Sequence, residues 1–178
     1  QLYWQRKRHF YVNGFLRSGK RVLDIGCGSS KIIQMLPDAV AMDFAQRKLR
    51  YLRKTNPHRV RASTFQLPFR DQSFDQAIHS QVIEHIPLDR SIYTELNRVL
   101  MPGGTLVIGT PDYGRIWWPI IEYFYGPILP NAYADEHITH YTRHSLFEIL
   151  AENGFRVLAY RYICGGELIV QAEKVASV

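Results

Sequence analysis

An α/β fold is predicted: a mostly parallel seven-stranded sheet, helices on both faces and a C-terminal antiparallel hairpin. Three features of the chain predict it. Short apolar runs alternate with segments of helical spacing from Val22 to Leu150, the pattern of strands joined by crossover helices. The first apolar run ends in a glycine turn, Gly26-Cys27-Gly28, that leads into a helix. The tail reads as two alternating strands, Phe155–Ile163 and Glu167–Glu173, joined through Cys164-Gly165-Gly166.

In chain order, Tyr3 to Arg17 is an aromatic-rich helix (Tyr3, Trp4, Phe10, Tyr11, Phe15) leading to strand one at Val22–Ile25. Ser30 to Leu36 is a short helix and Ala39–Met42 the second strand, ending in Asp43. Ala45 to Lys54 is the next helix, Arg59–Ala62 strand three and Phe74–His79 strand four. Ile92, Leu96, Val99 and Leu100 recur at helical spacing from an N-cap near Asp89, and Pro102-Gly103-Gly104 is expected to stop that helix. Strand five is Thr105–Gly109. Thr142 caps a last helix with Leu146, Phe147, Ile149 and Leu150 inward, ended by Gly154. The organisation expected is one domain over residues 1–178, with an N-terminal helical segment at 1–18 and an insertion at 111–141.

The 178 residues are 46% hydrophobic and 21% charged, ordinary for a globular domain with a full core. No signal peptide opens the chain, and Gln1 already lies inside the first helix, which reads as a trimmed start. The stretch from Ile116 to Ala134 carries only Glu122, but Pro119, Gly126, Pro127 and Pro130 break it, so no membrane-spanning helix is expected. Cys27 and Cys164 form neither a metal spacing nor a disulfide framework, which suits a reducing cytoplasm. The net charge of +6 is uneven: residues 1–61 carry +11 and the remainder −5. Two readings are open: an anionic partner, or a solvated helix face bearing Arg47, Lys48, Arg50, Arg53 and Lys54.

Gly26 and Gly28 allow a sharp turn in which backbone N–H groups are expected to face a ligand. Asp43, at the tip of the second strand, suits a ribose diol, whose hydroxyls can both donate to one carboxylate. The dinucleotide fingerprint needs a third glycine where Lys31 stands, so a nucleoside without a diphosphate is the better fit. Gly26, Asp43, Ser63, His79 and Thr110 all fall at the carboxyl ends of strands, where ligands bind in open α/β sheets.

Two further stretches, Leu67-Pro68-Phe69 through Ser73-Phe74-Asp75 to Glu84-His85, and Glu95-Leu96-Asn97-Arg98-Val99-Leu100-Met101-Pro102-Gly103-Gly104, extend the pattern. With them, Val22 to Phe155 resembles the class I methyltransferases that use S-adenosylmethionine, in particular the small-molecule branch (type 11) similar to ubiquinone-biosynthesis enzymes. The resemblance implies a Rossmann-like fold, S-adenosyl-L-methionine as cofactor and S-adenosyl-L-homocysteine as product. It places Asp24, Gly26, Cys27 and Gly28 near the methionine part and ribose, Asp43 on the ribose and Phe44 on adenine. Ser63 and Thr64 lie by the adenine, and His79 or Ser80 holds the ammonium by a main-chain carbonyl.

Several positions depart from the family. Ser30 stands where a third turn glycine is usual, and Ser63 where an acid accepts from the adenine amino group, weakening that contact by about 1 kcal/mol. The segment between Gly26 and Asp43 is about one helical turn short, which should shorten the helix and leave the strand ends in place.

Methyl transfer needs alignment and exclusion of water, and a hydroxyl acceptor also needs a base. His137 is the first candidate base and His140 the second, with Asp135 or Glu136 to orient them. The same segment can instead serve only to cap the last helix, and no metal site is predicted from Asp135, His137 and His140. The Glu84-His85 pair resembles one common in the family, read as packing rather than catalysis.

The (Asp/Asn)-Pro-Pro-aromatic motif of amino-directed nucleic-acid enzymes is replaced by His79-Ser80-Gln81-Val82, and no cysteine is placed for cytosine-C5 chemistry. Nucleic acid is thus not the expected partner. Trp117, Trp118, Tyr123, Phe124, Tyr125 and Tyr133 in the insertion suit an apolar pocket for a small-molecule or lipid- or glycan-linked acceptor, methylated on oxygen. They equally suit a sheet-edge cover or a dimer contact, and peripheral membrane contact and a monomer or homodimer both fit. Two alternatives remain: a cofactor-binding, non-catalytic partner subunit, and an RNA methyltransferase using the basic amino-terminal third.

Overall fold

A computed structural model describes residues 2–120 and 137–175. The seven strands are β1 (Val22–Ile25), β2 (Val40–Asp43), β3 (Arg59–Arg61), β4 (Phe74–Ser80), β5 (Leu100–Pro111), β6 (Phe155–Ile163) and β7 (Glu167–Lys174). They form one sheet in the order β3-β2-β1-β4-β5-β7-β6. Strands β1 to β5 pair in parallel, and β7 runs antiparallel to both neighbours. The expected architecture is therefore present. The sheet order places β1 beside β4, so chain direction across the sheet reverses there and opens a crevice at the carboxyl ends.

Period-two alternation divides the core between the two faces. Leu23, Ile25, Ala77, Leu106, Ile108, Leu168 and Val170 pack on one face against α4 (Ser91–Val99) and α5 (Arg143–Glu152). Val22, Ile78, Val107 and Ile169 face the other way, against Val12 of α1 (Leu2–Phe15), Ile32 and Ile33 of α2 (Lys31–Gln34), and Leu49 of α3 (Gln46–Tyr51). As the shortened segment requires, α2 is only four residues long. Ser30 is its N-cap, accepting from the Ile32 N–H at 3.2 Å. The buried Asn56 side chain donates to the Ile33 and Leu36 carbonyls at its other end. The helix expected over Ala45–Lys54 divides into α3 and a 3-10 turn at Leu52–Lys54.

The N-cap of α4 is Arg90, next to the expected Asp89, whose carboxylate accepts from the Ser91 N–H at 2.8 Å. One expectation needs correction. Pro102-Gly103-Gly104 does not end that helix. It ends at Val99, β5 begins at once, and the three residues bulge between the Phe74–Leu100 and Gln76–Thr105 pairings. The helix needs no glycine stop because Lys174 reaches across from β7 and donates to the Asn97 and Leu100 carbonyls at 2.7 and 2.9 Å. The last helix meets its expectation: Thr142 and Ser145 form a capping box, and Gly154 follows the C-cap at φ +77°.

Candidate functional site

The glycine turn is built from β1 and β2 together. Gly26 and Cys27 both donate to the Met42 carbonyl, at 2.8 and 3.0 Å, and the Gly28 N–H donates to Asp43 Oδ2 at 2.8 Å. The expectation that these N–H groups face a ligand is thus overturned: β2 takes all three. The glycines are needed for conformation, with φ +70° at Gly26 and +58° at Gly28. A Cβ on Gly26 would also lie 2.4 Å from a Val82 methyl, whereas one on Gly28 would meet only Lys48, at 4.0 Å. Open space over Gly28 is what a nucleoside lying on the turn requires.

Asp43 is buried, yet each of its oxygens accepts a single backbone N–H, Gly28 on Oδ2 and Ala45 on Oδ1 at 2.7 Å. Acceptor capacity remains for two hydroxyls. Phe44 is 70% exposed, with the Arg61 guanidinium 5.5 Å from its ring centre, so it offers an open aromatic surface beside Asp43. Ser63 accepts from the Phe65 N–H at 3.3 Å. His79 is fully buried, which pushes its imidazole down to about 4 and keeps it neutral. Its Nδ1 lies 3.0 Å from the Ile25 carbonyl and must carry the proton, leaving Nε2 to accept from Thr64 at 3.4 Å. The side chain thus braces β1 against the loop after β3. Burial pushes the Cys27 thiol far above its usual range, so it is inert.

Asp24 is buried beside Asp43, and burial first, then repulsion by Asp43, raises its carboxyl to about 7. The unfolded chain loses this proton near 3.8, so the ligand-free fold loses stability as pH rises from about 4 to 7. An arriving cation reverses that loss. The preference for a cationic over a neutral cofactor form is therefore expected to grow several-fold from pH 6 to pH 8, as Asp24 ionises. Calorimetric titration at both pH values with S-adenosylmethionine and S-adenosylhomocysteine, the pair that the resemblance implies, checks this; a constant ratio would remove Asp24 from the electrostatics of the site.

At the carboxyl ends of β4 and β5 stands a second group of side chains. Tyr113 hydroxyl and His137 Nδ1 are 2.8 Å apart, and the His140 ring stacks on Tyr113 at 4.0 Å. The His85 and His137 rings lie 4.9 Å apart, with Trp118 5.9 Å from His137. The Ile138 and Thr139 N–H groups donate to the Glu84 carbonyl, stitching this loop to the 3-10 turn Ile83–His85. Glu84, His85 and His137 each present a ligand atom within 4.8 Å of the others, whereas His140 is taken up by Tyr113. Asp135, Glu136 and most of the aromatic insertion lie outside the described residues.

Residues that the sequence reading passed over complete the neighbourhood. Glu167, fully buried at the start of β7, binds Arg8 of α1 through Nε at 2.5 Å and Nη2 at 2.8 Å, and also accepts from the Trp4 indole. Arg8 Nη2 reaches the Gln81 side chain at 3.2 Å as well. Helix α1 is thereby fastened across the ends of β4 and β7. Asp112, just after β5, accepts from Gly114 and Arg143 N–H groups and from the Tyr162 hydroxyl.

Comparison with known proteins agrees with this geometry. Residues 23–108 match the family described as a methyltransferase domain. The chain is 32% identical over 116 residues to a demethylmenaquinone methyltransferase of Staphylococcus saprophyticus, covering 58% of this chain and 49% of that protein. It is 31% identical over 110 residues to the human "Probable tRNA methyltransferase 9B", covering 59% and 24%. The match thus spans less than half of either relative. A SAM-dependent methyltransferase structure from Thermotoga maritima superposes with a TM-score of 0.76 at 18% identity, over 97% of this chain and 91% of that one. Residues 23–108 thus resemble a methyltransferase domain, and the whole chain shares the fold of the superposed structure. Among the described residues, no helix is long and apolar enough to cross a membrane.

Proposed function

We propose that this domain moves a methyl group from S-adenosylmethionine to the oxygen of a small-molecule or lipid- or glycan-linked acceptor, with His137 as the base. The observation that carries this reading is the histidine and aromatic group at the ends of β4 and β5, whose loop after β4 sets Val82 against Gly26 of the turn. The cofactor supplies an electrophilic methyl group on a positively charged sulfur. Asp43 would hold the ribose, Phe44 would cover the adenine, Ser63 and Thr64 would line its edge, and the main chain at His79 or Ser80 would receive the ammonium. Asp24, buried beside Asp43, would add negative charge once ionised. His137, oriented by the Tyr113 hydroxyl, takes the acceptor's proton, and His140, stacked on the same ring, keeps Tyr113 in place. Trp118 and Trp4, 6.1 Å apart, contribute an apolar wall that excludes water.

His137→Ala is expected to lower turnover by about a hundredfold or more while affinity for S-adenosylhomocysteine stays within a factor of about two. Single-turnover kinetics beside calorimetry checks both, and unchanged turnover would remove His137 from the chemistry. A second reading, an RNA acceptor, is favoured by the +11 charge of residues 1–61 and by the relative named for tRNA. It requires tRNA binding that weakens steeply between 50 and 200 mM salt.

A further inference from the structure

We infer that Glu84, Gln81 and Thr110 form the polar floor of the acceptor pocket, and that the acceptor presents an N–H or O–H donor to the Glu84 carboxylate. The inference rests on the methyl-transfer reading above and names the chemistry its acceptor must carry.

Among the described residues, five buried side-chain atoms at the carboxyl ends of β4 and β5 have no well-formed hydrogen bond: both Glu84 carboxylate oxygens, Thr110 Oγ1, Ser80 Oγ and Gln81 Nε2, with the Thr110 hydroxyl near enough to Glu84 to favour its charged form. Glu84 is 0% and Thr110 1% exposed. Leaving such atoms unpaired is costly, so their grouping marks a place built to be filled. Gln81 adds backbone strain, with φ +60° held by its N–H bond to the Gly109 carbonyl at 2.8 Å.

The surroundings choose the sign of the ligand. Burial, with Glu167 adding to it, raises the Glu84 carboxyl to about 8, against the opposing pull of Arg8. Arg8 is already committed to Glu167 through two of its nitrogens. The other groups facing Glu84 are His85 and His137, the hydroxyls of Tyr93 and Tyr141, which bond to each other at 3.1 Å, and Thr110. When ionised, Glu84 and Glu167 outnumber the one guanidinium, so an ammonium or hydroxyl donor at Glu84 favours its charged form and an anion opposes it. The proposed cofactor positions run from β1 and β2 to the end of β4 at Ser80, and the floor continues from there to Glu84, whose ligand atoms lie within 4.8 Å of those of His137.

The probes are benzylamine, benzyl alcohol and benzoate, which share one ring and differ in the polar group. Each is titrated by ligand-observed NMR at pH 8 into protein saturated with S-adenosylhomocysteine, whose own affinity is measured by calorimetry. Benzylamine or benzyl alcohol is expected to bind in the millimolar range with benzoate at least about tenfold weaker, and the stronger of the two identifies nitrogen or oxygen as the donor atom. Glu84→Gln should abolish that preference with S-adenosylhomocysteine affinity unchanged, and Thr110→Val should weaken it by about threefold. Benzoate binding as well as the others, an undiminished preference in Glu84→Gln, or no binding by any probe overturns the inference. One-to-one binding of Zn²⁺ or Mn²⁺ that is lost in Glu84→Gln also overturns it, assigning the carboxylate to a cation. Loss of S-adenosylhomocysteine binding by the unaltered protein would instead strike the methyl-transfer reading itself.

Discussion

Arg8→Ala is expected to destabilise the fold by about 3 kcal/mol, the largest single-residue effect outside the hydrophobic core. Its guanidinium is the cation paired with Glu167, whose side chain is fully buried at the start of β7. Truncation leaves that carboxylate in a water-poor site with the Trp4 indole as its remaining donor. Arg8 is itself about a quarter exposed, and solvent reaching its outer side holds the figure at the lower end of the range for buried pairs. For a chain of this size the midpoint of thermal unfolding should fall by roughly 6–12 °C.

A double replacement separates the lost pair from the stranded charge. Arg8→Met with Glu167→Met puts apolar volume in place of both ions and should cost much less than Arg8→Ala alone. Urea unfolding of the three variants followed by circular dichroism measures this. Equal losses in the single and double variants would show that the pair itself, rather than the orphaned carboxylate, sets the cost. The pair also holds α1 against the Gln81 side chain, so the single variant should weaken acceptor binding before it weakens cofactor binding.

The strands, the turn and Asp43 were legible because each is written within a few consecutive residues. Gly26 and Gly28 announce positive φ, and Asp43 follows an apolar run directly. The direction of the turn's N–H groups was not legible: Met42 and Asp43 receive them from sixteen and fifteen positions further along. The stop of α4 was misassigned for the same reason, since Lys174 caps it from 77 positions beyond Asn97. Ser30 read as a lost glycine but serves as the α2 cap. Glu84 looked like half of a packing pair, and only folding sets its carboxylate near Glu167 and Arg8. A signal was present in both acids, each adjoining apolar residues in buried segments, Val82-Ile83-Glu84 and Glu167-Leu168-Ile169. Charge within such runs is rare without a purpose.

Asp43→Ala is expected to weaken S-adenosylhomocysteine binding by about a hundredfold or more. The carboxylate does two things at once. It holds the turn by accepting from Gly28 and Ala45, and its remaining lone pairs are free for the two ribose hydroxyls of the proposed cofactor. Two charge-assisted bonds to hydroxyls, at about 1.5–3 kcal/mol each, account for a loss of that size. Asp43→Asn should do almost as badly, because an amide nitrogen would confront one of the two backbone N–H groups. Loss of binding alone would not distinguish a collapsed turn from a lost ribose contact. Competition with adenosine and 2′,3′-dideoxyadenosine does. The unaltered protein should prefer adenosine by at least about tenfold, and Asp43→Ala should bind both equally, at the level of the dideoxy compound in the unaltered protein. If the unaltered protein binds the two nucleosides alike, Asp43 serves the turn alone and the ribose lies elsewhere. Its neighbour gives an independent readout. With Asp43 gone, one of the two causes that raise the Asp24 carboxyl disappears, so the pH at which the cationic cofactor gains its advantage should move downward.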